Sequence, residues 1–228
     1  MTLVFIAAET REFEGLRKHL RRTQNLHWTA QFAETGELNG RPVVLVANGP
    51  GPKLAAAAAG EAVNRLNKID AFISTGYCGA LDQTLTPFSI VVASDVNGKT
   101  ALRPVTASSF TAGPVLSQDR VACTVDEKSK LRKTGAIAVE MEAAAVEQVA
   151  RKSSVPFYCV RAVTDAAAEA LPLDFNDLRD RDGRFSRARI IAAACRRPAR
   201  LVAKLLKLDR TCKSASMALG DFIADCRF

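Results

Sequence analysis

Short apolar runs alternate along the chain with amphipathic or alanine-rich stretches, and each run has the length of a β-strand. The predicted strands cover residues 2–8, 41–48, 71–76, 89–94, 135–139 and 155–164. The predicted helices begin at Thr10 and cover residues 53–67, 140–152, 186–195 and 198–208. Strands that alternate with helices are typical of a parallel sheet covered by helices. The pattern therefore predicts an α/β fold with a mixed, mostly parallel twisted sheet wrapped by helices.

One pair of strands is predicted to be antiparallel. Asn39-Gly40 separates residues 27–38 from residues 41–48, and Asn-Gly between two extended segments is a strong hairpin signal. Residues 97–113 are polar and irregular, so we expect a loop there.

Charged and glycine-rich segments follow several of the predicted strands. In open α/β sheets, ligands bind beyond the carboxyl ends of the strands. The segments at those ends are Glu12, Gly49–Pro52, Gly76–Gly79, Glu140–Glu142 and Asp165. The sequence therefore predicts that these segments meet at one binding site.

Length and hydropathy narrow the class of protein. The 228 residues suffice for one globular domain, which we expect to comprise residues 1–183 and a basic helical extension over residues 184–228. No apolar run reaches the roughly 18 residues of a transmembrane helix. The first residues are typical of a strand rather than a signal peptide. We therefore expect a cytoplasmic protein.

The net charge of +8 is concentrated near the C-terminus. Residues 184–213 hold ten lysines and arginines against one acid, Asp209. The predicted helix over 198–208 combines these basic residues with a leucine-rich stripe. The combination fits a solvated basic face or a helix that lies on a membrane surface, here the inner membrane. A nucleic-acid site is the weakest interpretation, because few aromatic residues accompany the basic ones.

The cysteines and histidines predict neither disulfides nor a metal site. The six cysteines are Cys78, Cys123, Cys159, Cys195, Cys212 and Cys226. Their spacings are long and irregular, which favours reduced thiols in the core. With only two histidines and no ligand-like spacing, we expect no metal and no cofactor.

Asp165 and the Glu140-Met141-Glu142 segment are candidates for acid–base and sugar chemistry. A partly desolvated carboxyl such as Asp165 can act as a general acid, although a loop aspartate or helix N-cap explains it equally well. A carboxylate can accept two hydrogen bonds from a ribose diol, with Met141 as an apolar floor for the sugar. Carboxylates at a helix start are also favoured by the helix dipole alone.

Glu12 and two glycine-rich turns complete the candidates. Glu12 follows the first strand and could equally lie on the solvated face of a helix. The turns at Asn48–Pro52 and Gly76–Gly79 could present backbone N–H groups to an anion or sugar. Within the second turn, Tyr77 is a candidate pocket wall, and Cys78 fits a small core residue as well as a pocket wall.

Three segments together resemble the purine nucleoside phosphorylase/nucleosidase superfamily, in particular its methylthioadenosine/S-adenosylhomocysteine nucleosidases. They are Gly135–Ala145 (GAIAVEMEAAA), Val155–Phe157 and Arg161–Asp165 (RAVTD). The segment Thr75–Ala80 is similar to the family's glycine-rich sugar loop. The resemblance covers residues 1 to about 178. The remaining tail, with Arg196-Arg197-Pro198 before a basic helix, is similar to the hopanoid-associated phosphorylases of that superfamily.

The resemblance implies release of adenine from a 5′-substituted adenosine, in a homodimer that needs no metal or cofactor. The similarity of the tail to the hopanoid-associated branch implies that adenosylhopane is the preferred substrate. The alternatives are methylthioadenosine or S-adenosylhomocysteine, or phosphorolysis of a purine nucleoside.

The resemblance also implies roles for individual residues. Asp165 would protonate N7 of the purine, Glu142 would hold the ribose hydroxyls and Met141 would pack under the sugar. Glu12 would orient the attacking water. Gly76, Tyr77 and Gly79 would belong to the sugar loop.

Three positions depart from the family pattern. Tyr77 replaces a small residue or serine, and Val121 replaces the phenylalanine of the base-binding segment. Ser74 stands where phosphorylases carry the arginine that holds phosphate, which favours water as the nucleophile. Phosphate could still bind in another way, for instance through Arg161.

Overall fold

The computed structural model describes residues 2–180, 183–184 and 199–228. The strands are β1 Leu3–Ala7, β2 Arg21–Asn25, β3 Phe32–Leu38, β4 Arg41–Ala47, β5 Ala71–Ala80, β6 Ile90–Val96, β7 Lys99–Thr100, β8 Thr111–Ser117, β9 Ala138–Glu140 and β10 Phe157–Asp165. The α-helices are α1 Glu14–Arg17, α2 Pro52–Arg65, α3 Val125–Arg132, α4 Ala143–Lys152 and α5 Ala199–Ala224. Short 3-10 helices cover Thr10–Phe13 and Phe175–Leu178.

The strands of the described residues form one mixed sheet. The order is β10-β6-β8-β9-β5-β1-β4-β3-β2, with β7 paired to β6. The pairs β1–β4, β1–β5, β5–β10, β6–β8 and β8–β9 are parallel. Because β10 also pairs with β5, the strands β5, β10, β6, β8 and β9 close into a ring.

Helices cover both faces of the sheet, which gives three layers. One apolar core lies between the sheet and the alanines of α2 and α4. The second core joins the sheet to α1 and to the C-terminal half of α5, through Phe13, Leu16, Leu219 and Phe222. The predicted α/β class with a mixed, mostly parallel sheet is confirmed.

The predicted hairpin is confirmed, and several boundaries differ. Asn39 and Gly40 have positive φ angles of 52° and 78°, as a tight turn between β3 and β4 requires. Strand β5 continues through the predicted turn at Gly76–Gly79, because β10 and β9 pair with that segment. The predicted helix from Thr10 is only a 3-10 turn followed by α1.

The pattern of apolar residues did not predict the elements whose residues are mostly polar or exposed. Strand β2 is fully exposed, β8 lies partly in the predicted loop, and α3 is largely polar. The predicted helix over 186–195 lies outside the described residues, as does Arg196-Arg197-Pro198. The predicted helix over 198–208 is the start of the 26-residue α5.

The helix α5 crosses α1 with the two backbones in contact. A Cβ atom on Gly15 would lie 2.0 Å from the Ser216 carbonyl oxygen, and one on Gly220 would lie 2.1 Å from Gly15. The Ser216 hydroxyl accepts from Gly15 N (3.1 Å) and donates to Glu12 O (3.1 Å). The crossing therefore fixes α5 beside the segment that carries Glu12.

No helix of the described ranges is both long and apolar enough to cross a membrane. Five of the six cysteines lie in those ranges, all as free thiols, and all but Cys212 are buried. Cys195 lies outside the described residues.

Candidate active site

A cavity of about 370 Å³ lies at the carboxyl ends of the central strands and beneath α5. Most of the predicted site residues line it: Glu12, Tyr77, Gly79, Val121, Met141, Glu142 and Asp165. The structure therefore brings these seven residues together around one cavity, as the strand order predicts. The remaining two predicted residues, Gly76 and Arg161, do not line the cavity.

Glu12 lines the cavity from the 3-10 turn after β1. Its carboxylate accepts hydrogen bonds from Glu9 N (2.7 Å) and Tyr77 N (2.8 Å). Burial raises the pKa of Glu12 to about 7, although these two backbone donors lower it in part. A carboxyl group that titrates near neutral pH is suited to accept a proton from water.

Gly76 gives Glu12 the space that it occupies. Gly76 has a φ angle of +132°, and a Cβ atom there would lie 2.3 Å from Glu12 Oε1 and 3.0 Å from Arg161 Nη1. Any side chain at this position would therefore displace both charged groups.

Arg161 is fully buried beneath the cavity, and both of its terminal nitrogens bind protein groups. Its guanidinium donates to Thr75 O (2.9 Å), to Ser74 Oγ (2.6 Å) and to Glu140. Its Nη1 also lies 3.5 Å from Glu142 Oε2. Burial opposes the charged form, yet these carboxylates raise the pKa of Arg161 above its ordinary value. Arg161 is therefore the counter-charge of Glu140 and Glu142.

Glu140 and Glu142 flank Met141 and have different surroundings. Glu140, the last residue of β9, accepts from Glu142 N and Ala143 N, both at 2.9 Å, and so caps α4. Glu142 accepts from Gly51 N (2.9 Å). Both residues line the cavity, but the side chain of Glu140 is 0% exposed and that of Glu142 is 6% exposed. Glu140 is thus the structural carboxylate of the pair, and Glu142 is the more accessible one.

The pKa of Glu142 reflects this crowding of charge. Burial and the neighbouring carboxylate of Glu140 raise it to about 8, against the opposite influence of Arg161. The turn at residues 48–52 supplies the N–H of Gly51 that keeps the Glu142 carboxyl in place.

Asp165 lines the cavity beside Gly79 of β5, as the last residue of β10. Its Oδ2 accepts from Lys128 Nζ at 2.5 Å, and its Oδ1 accepts from Thr164 Oγ1 at 2.8 Å. Burial raises the pKa of Asp165, while Lys128 and the Thr164 hydroxyl lower it in part. The geometry is that of a desolvated carboxyl group able to give or take a proton at the cavity wall.

Apolar side chains line the remaining wall of the cavity. They are Val121, Leu171, Phe175, Leu205 and Leu208, the last two from α5. Asn176 fixes Val121 through hydrogen bonds to its N (2.8 Å) and O (3.1 Å). At the mouth, Arg11 pairs with Asp209 of α5 at 3.1 Å.

Lys128, Arg11 and the residues of the apolar wall other than Val121 were not predicted as site residues. Lys128 belongs to an eight-residue polar helix, so no period marks it. Phe175 and the α5 residues Leu205 and Leu208 come from segments far along the chain, so their position at the cavity depends on the tertiary fold. In the described residues, no cluster of histidine, cysteine or acidic side chains is arranged to hold a metal ion.

Comparison with known proteins identifies the class to which this fold and site belong. The 5′-methylthioadenosine/S-adenosylhomocysteine nucleosidase of Staphylococcus aureus (strain JH9) is 31% identical over 174 residues, which span 62% of this chain and 76% of that protein. The expectation of an N-glycosidase is confirmed by such relatives. The sequence model of the phosphorylase superfamily matches residues 2–114 and 105–207. The chain therefore belongs to the phosphorylase superfamily.

Solved structures confirm the fold. The nucleosidase of Neisseria meningitidis, in complex with methylthio-immucillin-A, superposes with a TM-score of 0.72 at 21% identity, covering 98% of this chain and 97% of that one. The S-adenosylhomocysteine nucleosidase of Streptococcus pyogenes, in complex with 5-methylthiotubericidin, gives 0.73 at 20% identity, covering 99% and 95%.

Proposed function

We propose that this protein cleaves the N-glycosidic bond of a 5′-substituted adenosine and releases adenine. The observation that carries the proposal is that two separate centres of buried carboxyl groups line one cavity: Asp165 beside Gly79 of β5, and Glu12 with Glu142 around Arg161. We call the part of the cavity at Asp165 the base end and the part at Glu12 and Glu142 the sugar end. Cleavage of a glycosidic bond needs an acid for the leaving group and a placed nucleophile on the other side.

The roles follow from this placement. Asp165 donates its proton to N7 of the purine, so the bond between C1′ and the base breaks with its electrons on adenine. The sugar passes through an oxocarbenium-like state. Glu12 takes a proton from water as the water oxygen bonds to C1′. Glu142 accepts hydrogen bonds from the 2′- and 3′-hydroxyls, and Met141 packs beneath the ribose.

Water is the nucleophile that the site supports best. Ser74 replaces the arginine that would hold phosphate, and its hydroxyl accepts from Arg161. Arg161 itself has no exposed surface and already binds Glu140 and Thr75 O. Phosphate binding through Arg161 would require these contacts to break, which argues for hydrolysis over phosphorolysis.

We propose adenosylhopane as the preferred substrate. The cavity volume lies at the lower end of the range for small-molecule sites. It suits the nucleoside and the start of its 5′ substituent, while a large hydrocarbon would continue past the apolar wall at Leu205 and Leu208. The relatives' activity supports methylthioadenosine or S-adenosylhomocysteine as the alternative substrates.

Adenine release followed by chromatography tests the substrate assignment. Wild-type protein in phosphate-free buffer is given vesicles that contain adenosylhopane or, separately, methylthioadenosine. We expect faster release from the lipid substrate, and we expect Leu205→Gln to slow it more than the control change Val125→Gln, which alters an exposed apolar residue outside α5. Release from methylthioadenosine alone would refute the lipid assignment, and a requirement for added phosphate would refute hydrolysis.

A second proposal concerns the outer face of α5, where apolar and basic side chains lie together. Leu206 is 54% exposed and Val202 is 42% exposed. Leu205, on the cavity side, is only partly exposed. Leu206 shares a shallow surface pocket with Phe88, Lys207 and Arg210. Exposed apolar groups beside cations are suited to an anionic membrane surface.

Vesicle co-sedimentation tests the membrane surface. We expect binding to anionic vesicles, little binding to zwitterionic ones, and a clear loss in the double variant Leu206→Gln/Arg210→Gln. The matched control is Val105→Gln/Arg103→Gln, which changes an apolar and a basic residue elsewhere. Equal binding by both variants would contradict the proposal, and salt-dependent retention on DNA would favour a nucleic-acid site instead.

We also propose a homodimer, as the family resemblance implies. Val105 and Leu102 are exposed apolar residues outside α5, at 72% and 46%, and are candidates for the contact. Sedimentation equilibrium of the wild-type protein should give twice the chain mass, and a monomer across the micromolar range would contradict this.

A further inference from the structure

Lys128 is a buried charged residue at the base end that the proposed mechanism does not use. Only 1% of the residue is exposed. Its Nζ donates to Asp165 Oδ2 (2.5 Å), to Ala166 O (2.8 Å) and to Glu169 O (2.8 Å). An ammonium group has three donors, and these three acceptors use all of them.

The position of Lys128 is set by the first turn of α3. Thr124 caps this helix by accepting from Glu127 N (3.1 Å), and Glu127 accepts in return from Thr124 N (3.0 Å). This reciprocal capping box fixes the first turn. Lys128 follows Glu127 directly and points inward, whereas Lys130 of the same helix is exposed.

The chemistry of base release changes the charge of Asp165. When Asp165 gives its proton to the purine, a carboxylate is left in a site from which water is excluded. A buried carboxylate is costly unless an opposite charge lies beside it. Lys128 is in place for this before any substrate binds, and the two carbonyl contacts hold it there.

We infer that Lys128 is a positioning residue that holds Asp165 and stabilises the carboxylate formed when Asp165 protonates the leaving base. The inference rests on the proposed function, because it assigns the proton donor to Asp165. Because all three donors of its Nζ are bound to acceptors, Lys128 has none left to bind the purine itself.

The other titratable groups near Asp165 do not replace Lys128. Glu169 lies in the segment after β10, and its carboxylate raises the pKa of Asp165. That carboxylate is paired with Lys207 of α5 at 3.0 Å. The thiols of Cys78 on β5 and Cys212 on α5 also lie within electrostatic reach of Asp165.

A carboxyl titration tests the inference without relying on activity. Protein labelled with ¹³C at the aspartate carboxyl carbon is titrated by NMR, and the Asp165 resonance is assigned by its loss in Asp165→Asn. We expect the Asp165 midpoint to rise by about one pH unit or more in Lys128→Met. It should stay unchanged in Lys130→Met and return towards wild type in Lys128→Arg. An unchanged midpoint in Lys128→Met would overturn the inference.

The pH profile of kcat supplies the second readout. With methylthioadenosine or the lipid substrate, we expect Lys128→Met to lower kcat by about tenfold or more. This is part of the roughly 10²–10⁴-fold rate gain that a general acid contributes. The alkaline limb should move to higher pH, with KM little changed. A lower thermal midpoint with an unshifted limb would show a merely structural role. Absence of adenine release by the wild type would instead refute the proposed function, while the titration still decides the role of Lys128.

Discussion

The sugar end and the base end of the cavity differ in how many buried carboxyl groups share one buried cation. At the sugar end, Arg161 contacts Glu140 and Glu142 and also lies within electrostatic reach of Glu12. One guanidinium thus serves three carboxyl groups in the described part of the site. At the base end, Asp165 has an ammonium group to itself.

The difference in charge ratio has a chemical consequence at each end. One cation does not neutralise three carboxylates, so burial and mutual repulsion leave Glu12 and Glu142 with pKa values of about 7 and 8. These groups can exchange protons with water or sugar hydroxyls near neutral pH. Asp165 instead has a partner suited to stabilise the carboxylate that remains after its proton has gone.

The largest effect is expected from removing the acid at the base end. Asp165→Asn keeps an oxygen for Lys128 but has no proton to donate, so base release should fall by about 10²–10⁴-fold. The steady-state rate of adenine release measures this. Asp177→Asn, an exposed change on the Phe175–Leu178 turn, is the matched control. Near-normal activity in Asp165→Asn would remove Asp165 from the mechanism.

Removing the shared cation should damage the fold as well as the site. Arg161→Met leaves Glu140 buried without its counter-charge, and loss of one partner of a buried ion pair typically costs about 3–5 kcal/mol. Urea unfolding should report a loss of this size. Arg151→Met, which removes an exposed arginine of α4, should cost much less. If the two variants were equally stable, Arg161 would not be the counter-charge of the sugar end.

A smaller and more specific effect is expected at the ribose. Glu142→Gln keeps an oxygen for the N–H of Gly51 but accepts hydrogen bonds from the diol less strongly. Loss of charge assistance at one hydrogen-bonded group corresponds to about tenfold in binding, so KM measured above pH 8, where Glu142 is ionised, should rise by about that factor. Glu147→Gln on α4 is the control. A fall in kcat with no change in KM would assign Glu142 to the chemical step instead.

The most gradual effect is the dependence of stability on pH, which accumulates over several pH units. The pKa values of Glu12 and Glu142 are raised above the ordinary value of 4.5, so the folded state binds more protons than the unfolded state between about pH 4.5 and 8. The free energy of unfolding should therefore fall as the pH rises through this window, by up to about 1.4 kcal/mol per pH unit for each group. Urea unfolding from pH 5 to 8 measures the slope.

Comparison with the variants assigns this slope to its source. We expect Glu12→Gln and Glu142→Gln each to flatten it, because an amide does not titrate. A wild-type stability that rises over the same window would show that neither carboxyl group holds its proton in the folded state.

The carboxyl groups could be predicted from the sequence because each one closes or follows an apolar run. Asp165 ends β10, Glu142 follows β9 and Glu12 follows β1, so strand order alone brings them to one edge. Lys128 could not be found in this way. Its helix has no apolar period, and its burial depends on how α3 packs against the end of β10.

The C-terminal helix shows the same limit in another form. Its basic and apolar composition is visible in the sequence, but its course across the cavity depends on the close contact between Gly15 and Gly220. A contact between residues so far apart in the chain leaves no local pattern. Elements with exposed or polar residues, such as β2 and β8, were missed for the related reason that burial does not impose a period on them.

The most direct measurement is adenine release from methylthioadenosine and from adenosylhopane by wild-type protein and by Asp165→Asn, in phosphate-free buffer. We expect the wild type to release adenine from at least one of them, and Asp165→Asn to release almost none from either while it unfolds at a similar temperature. Equal release by both proteins, or no release by the wild type from either substrate, would contradict the assignment of this cavity to N-glycosidic bond cleavage.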